Sequence, residues 1–99
     1  MQTYAIMRRN GWAERDQLDE AGERSNFVRE GEMAGQMRWI RSYFFKEEDG
    51  RFGTICIYEA ESADAIREHA RRALLPADEV LPITETIVAQ PDPGPVVAG

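Results

Sequence analysis

The sequence predicts an α+β domain in which four short strands and two helices follow one another in the order βαββαβ. Three observations carry this. Two segments rich in Glu, Arg and Ala place small or apolar residues at helical spacing. Segments rich in aromatic and β-branched residues surround them. Glycines and prolines punctuate the boundaries, with Gly31 and Gly35 after the first helical run and Pro76 after the second.

The first element is "TYAIM", Thr3 to Met7, a strand that runs through Arg8 and Arg9 into an Asn10-Gly11 turn. From about Ala13 to Glu30, Leu18, Ala21, Ser25 and Val28 recur along one face of an amphipathic helix whose other face is charged. Gly31 and Gly35 free the backbone to stop it, and "MRWIRSYFF" then alternates as a strand. Asp49-Gly50 is a hairpin turn pair leading into "TICIYEA", the third strand. Ser62 is placed to cap a second helix, with Asp64 favourable in its first turn and Ala63, Ile66, Ala70 and Ala73 on its apolar side. After Pro76, "VLPITETIVA" reads as a final strand with Pro82 near its start or at an edge. This order packs two helices on one face of a four-stranded antiparallel sheet, the ferredoxin-like arrangement. The domain spans 1–89, and "QPDPGPVVAG", 90–99, is expected to be a flexible or partner-draped tail, since it holds three of the five prolines and lacks periodicity.

Ninety-nine residues at 42% hydrophobic content suit a single domain that folds without disulfides. The lone Cys56 cannot form an internal bridge and no CxxC or CxxH pair is present, which points to a reducing, cytoplasmic compartment. No run approaches the ~18 consecutive apolar residues of a membrane span, so a soluble chain is expected. The net charge of −6 repels phosphate backbones and anionic lipid, which argues against nucleic acid or membrane as partner despite the local basic "HARR". "RNGW" lacks a nucleotide-loop framework and Ser42 has no glycine-flanked elbow, so neither an organic cofactor nor an elbow hydrolase is expected.

Strand alternation then assigns faces. In the third strand Ile55 and Ile57 share one side, read as the helix side, while Cys56 and Tyr58 share the other. In the second, Trp39, Arg41, Tyr43 and Phe45 form one set and join Cys56 and Tyr58 on the helix-free face. For the first strand the pattern leaves open which set faces outward. An aromatic face of that size predicts a homodimer packed sheet to sheet, a pocket between the sheet and its partner, or both. In such a pocket Trp39, Arg41, Tyr43, Cys56 and Tyr58 would bind a small ligand, with Tyr43, Tyr58 and Arg41 as the catalytic candidates if a reaction occurs there.

From Trp39 to Val88 the chain resembles a family of small bacterial ferredoxin-like proteins without an assigned function, one member of which is nickel-responsive and nickel-binding. The motifs that carry the resemblance are "WIRSY", "CIYEA", "AIREHARRA" and "PADEV", in the family's order and near its spacing. It implies a dimeric ferredoxin-like protein and makes Ni(II) a candidate ligand through His69 and Cys56. Imidazole and thiolate both suit that ion.

Read from the residues alone, these two side chains are expected in different layers. Alternation sends Cys56 away from the helices, while His69 lies about 60° from Ile66 around its helix, beside the apolar stripe. His69 can pack partly on the sheet and bond a backbone carbonyl, or serve as a metal ligand or proton carrier. Cys56 can be a small buried hydrophobe, or a thiolate if Arg41 stands next to it. The favoured expectation is a small dimeric metal-binding protein with no catalysis of its own. The alternative is a cofactor-independent small-molecule binder or enzyme, oxygenase-like or cyclase-like, using the open sheet face.

Overall fold

The computed structural model describes residues 1–94, leaving 95–99 of the expected tail outside the described residues. The chain forms β1 (Gln2–Trp12), α1 (Arg15–Glu30), β2 (Met37–Lys46), β3 (Phe52–Ala60), α2 (Ala63–Ala73) and β4 (Glu79–Pro82). The strands make one antiparallel sheet in the order β2-β3-β1-β4, which with two helices is the ferredoxin-like α+β fold. Among the described residues no helix is long and apolar enough to cross a membrane.

Local chemistry sets the helix ends. The side-chain oxygen of Gln17 accepts the backbone N–H groups of Ala13 and Glu14, at 2.8 and 3.2 Å, and starts α1. Ser62 Oγ accepts the Ala65 N–H at 3.1 Å and starts α2. That helix stops at Leu74, which takes the left-handed conformation at φ 57°, a position where glycine is usual. The α1 stripe is as the spacing predicts: Leu18, Ala21, Ser25 and Val28 are its buried residues.

Two irregularities in the sheet decide where side chains go. Between Trp39, opposite Tyr58, and Arg41, opposite Ile57, β2 carries one extra residue, Ile40. A one-residue excess inverts the alternation beyond it. Met37 and Trp39 therefore share the helix side with Ser42 and Phe44, while Arg41, Tyr43 and Phe45 face away. The second irregularity lies in β1, where Arg8 pairs with Thr54 and Trp12 with Phe52, four steps against two. The expected Asn10-Gly11 turn is thus a bulge inside a longer strand, with Asn10 at φ 49°. Glu47, from the β2–β3 turn, holds it by accepting the Asn10 N–H and pairing with Arg9.

Three expectations are corrected by these contacts. Tyr4, Ile6 and Arg8 of β1 are buried opposite Tyr58, Cys56 and Thr54, so Cys56 and Tyr58 face the helices, and Ile55 and Ile57 take the open face. Hydrophobicity misled here because the open face is itself apolar and the helix side carries polar groups. Trp39 changes sides through the Ile40 bulge. The final strand is four residues long, not ten: its pairing with β1 ends with Pro82 opposite Tyr4, followed by one more backbone bond from the Ile83 N–H to the Thr3 carbonyl oxygen at 2.8 Å. Beyond it the chain returns to the open face, where the Tyr43 hydroxyl donates to the Asp92 carboxylate at 3.1 Å and Arg41 forms an ion pair with the same group.

The core has two parts. The larger unites Tyr4, Ile6, Val28, Met37, Ala60 and Ile66 under α2 and the end of α1. The smaller joins Trp12, Leu18 and Ala21 at the start of α1. Between them the packing opens.

Candidate functional site

The opening is a cavity of about 290 Å³ between α1 and the helix side of β1, β2 and β3. Leu18, Ala21, Gly22 and Ser25 of α1 line one wall. Arg8, Thr54, Cys56 and Tyr58 line the sheet wall, and Trp12 closes one end. Trp39 and Phe44 of β2 stand at the open edge and are about half exposed. Two cation–π contacts link them to α1: the Arg15 guanidinium lies 5.0 Å from the Phe44 ring and that of Arg29 lies 5.4 Å from Trp39. Asp19 and Glu23 add negative charge to the lining beside Arg15.

Arg8 is 2% exposed. Its Nη1 donates to the Pro76 carbonyl oxygen at 2.6 Å, and among the described residues it makes no ion pair. A guanidinium carries its charge into the fold, and a buried charge normally needs a counter-charge.

Ser25 joins the cavity to the interior below α2. Its hydroxyl lies 3.4 Å from the Tyr58 hydroxyl and accepts from Arg29 Nη1 at 3.2 Å. His69 is buried, with Nε2 3.2 Å from both the Ser25 hydroxyl and the Ser25 carbonyl oxygen. A carbonyl can only accept, so Nε2 carries the hydrogen. Burial pushes the His69 pKa down to about 4 against the raising effect of that backbone bond, and the charges of Arg8 and Arg29 lower it further. The imidazole is neutral at pH 7 and its Nε2 is occupied as a donor. That geometry does not make it a base for the Ser25 hydroxyl.

Cys56 is also on this side, bonded differently. Ser42 Oγ donates to its Sγ at 3.1 Å, and the thiol lies 3.5 Å from Thr54 Oγ1. Cys56 and His69 therefore occupy the same layer, contrary to the separation expected from strand parity. They do not converge on an ion: among the described residues no group of three or more His, Cys, Asp or Glu side chains is arranged to hold a metal. Arg41, the cation expected beside Cys56, is on the opposite face with Tyr43 and Asp92. Of the five ligand-binding residues expected, Trp39, Cys56 and Tyr58 thus line one chamber, and Arg41 and Tyr43 do not.

Sequence reasoning missed Arg8, Trp12, Ser25 and Phe44. Two of them left a signal. Arg8 is in phase with Tyr4 and Ile6, and Ser25 is the one hydroxyl in the α1 apolar stripe. A polar residue in phase with a buried set marks either a satisfied core group or a lining residue.

Fold and chamber together define a small ferredoxin-like domain with a polar-floored cavity between its first helix and its sheet. The family model described as "Nickel responsive protein SCO4226-like" matches residues 4–83, so the chain belongs to that family. The match takes in the first strand and helix as well as the motifs from Trp39 onward. Among solved structures it is similar to that titled "Crystal structure analysis of SCO4226 from Streptomyces coelicolor A3(2)", with a TM-score of 0.66 and 19% identity. The alignment covers 86% of this chain and 99% of that one, and at this identity the likeness concerns the fold. No curated protein matches.

Proposed function

We propose that this member of the nickel-responsive family is a binding protein whose ligand is a small molecule held in the chamber between α1 and the sheet. The carrying observation is the cavity of about 290 Å³ itself, walled by aromatic and aliphatic side chains with a few polar groups on its floor. That is the composition of small-ligand sites, and the volume is near the lower end of their range. The test is a fragment screen observed by backbone amide shifts. Saturable shifts clustered on Gly22, Ser25, Thr54 and Cys56 support the chamber, and hits confined to the open face with Arg41 and Tyr43 exclude it.

A second reading keeps nickel as the direct ligand, and the family description supports it. The chemistry of His69 and Cys56 suits Ni(II), and a neutral imidazole is the ligating form. Against it, the donors among the described residues of one chain do not close a site. His69 keeps its Nε2–H on Ser25, which leaves Nδ1 as the ligating atom, and among the described residues no set of Cys or carboxylate donors gathers around it. Calorimetry with Ni(II) separates the readings: a saturable isotherm lost in His69→Ala establishes the metal reading, and identical isotherms remove it.

Two further attributes belong to this proposal. A second copy packed on the open sheet face would cover Ile55, Ile57, Tyr43 and Leu81, the last two nearly half exposed. Light scattering on a size-exclusion column tests it, and a monomer at high concentration refutes it. The unbridged, buried Cys56 is consistent with a cytoplasmic home.

A further inference from the structure

We infer that the ligand of the chamber is a small carboxylate with a flat apolar body, and that Arg8 is the residue that reads its charge. The inference rests on the chamber being the binding site. Arg8 lines the cavity, is 2% exposed, and has one carbonyl as its hydrogen-bond partner and no carboxylate among the described residues. An arginine held this way retains donors with nothing from the protein to accept them, and a planar carboxylate fits a guanidinium with two parallel bonds. The alternative explanation for a buried arginine is a structural ion pair. The two acids in the lining, Asp19 and Glu23, are exposed on α1 and form no ion pair with Arg8.

The rest of the lining narrows the class. Ser25, Thr54 and Tyr58 surround the floor with hydroxyls that can donate to the same anion. Trp12 and Phe44 supply aromatic rings to the lining for an apolar body to pack on, and about 290 Å³ limits that body to a fragment of one or two rings. Asp19 and Glu23 in the lining oppose a multiply charged anion such as a phosphate ester. The lining holds two cations and two acids, but Arg15 is paired with Asp19, which leaves Arg8 as the one buried cation in the lining without a counter-charge among the described residues and selects a single negative charge.

The test uses matched probes on the full chain: 2-naphthoate, its neutral analogue 2-naphthamide, and inorganic phosphate, read by amide shifts and by tryptophan fluorescence. At least tenfold tighter binding of the naphthoate, with shifts on residues 8, 25, 54 and 58, is expected. Arg8→Gln should remove that preference, weakening naphthoate binding far more than naphthamide binding. Equal affinity of the two probes for the wild type overturns the charge-reading role and leaves the chamber reading standing. This comparison does not depend on the variant folding. Displacement of naphthoate by equimolar phosphate overturns the choice of carboxylate. No shifts in the chamber with either naphthyl probe would sink both the chamber and the inference drawn from it.

Discussion

Acidification should destabilise this protein through one buried imidazole. His69 is the only histidine in the chain, and burial holds its pKa near 4 in the folded state against about 6.5 when exposed. Below pH 6.5 the unfolded chain takes up a proton that the native protein refuses until about pH 4. Stability therefore falls as pH drops through this interval and levels off beneath it. Between pH 7.5 and pH 5 the linkage amounts to about 2 kcal/mol, a fall of roughly 8–16 °C in Tm for a domain of this size. Urea titrations at half-unit pH steps measure the slope directly. Glu68 does not confuse the result: hydrogen bonds from Arg71 and Arg72 lower its pKa to about 2, so its effect lies below about pH 4.5. His69→Gln keeps a donor toward Ser25 and should flatten the profile between pH 5 and 7. A flat wild-type profile, or an unchanged slope in the variant, would refute the assignment of a buried, neutral His69.

Three other experiments test the strain and packing of the fold. Leu74→Gly should stabilise the fold by about 1 kcal/mol in chemical denaturation, because Leu74 sits at φ 57° with its side chain largely exposed, and little packing is lost when the strain is removed. Gly53→Ala should cost about 1–3 kcal/mol, since a Cβ there would stand 2.8 Å from the Arg8 carbonyl oxygen and from the Phe45 ring. A stable Gly53→Ala protein would show that both the Phe45 ring and the Arg8 backbone give way freely. Cys56 should react with iodoacetamide far more slowly in the native protein than in urea, and more slowly again with 2-naphthoate bound, since its thiol is buried but lines the cavity.

What could be read in advance was whatever depended on local periodicity. The α1 stripe, the Ser62 cap and the element order each rest on spacings of three or four residues or on a single turn, and such signals survive without knowledge of the partner strand. The chamber depended on something else. Which side of β3 meets the helices is settled by which residues of β1 pair with it, and Ile55 and Ile57 looked more like core than Cys56 and Tyr58 did. Trp39 was misplaced for a different reason: the bulge at Ile40 has no marker in "RWIRSY", where no glycine or proline announces an extra residue. Arg8 was not singled out because alternation in the first strand left open which of its two sets faced outward, and only the pairing of β1 with β3, Arg8 opposite Thr54, settles that it is interior.

The extra residue in β2 ties the two surfaces of the sheet together genetically. Removing Ile40 would restore strict alternation, and everything on one side of the cut would exchange faces with respect to the other. Were Met37 and Trp39 to keep their places, Arg41, Tyr43 and Phe45 would be turned toward α1, while Ser42 and Phe44 would be sent outward. A one-codon deletion could therefore both blind the chamber and rewrite the outer surface. Relatives that lack this residue would be expected to differ on both faces at once, and those that keep it could vary either face alone.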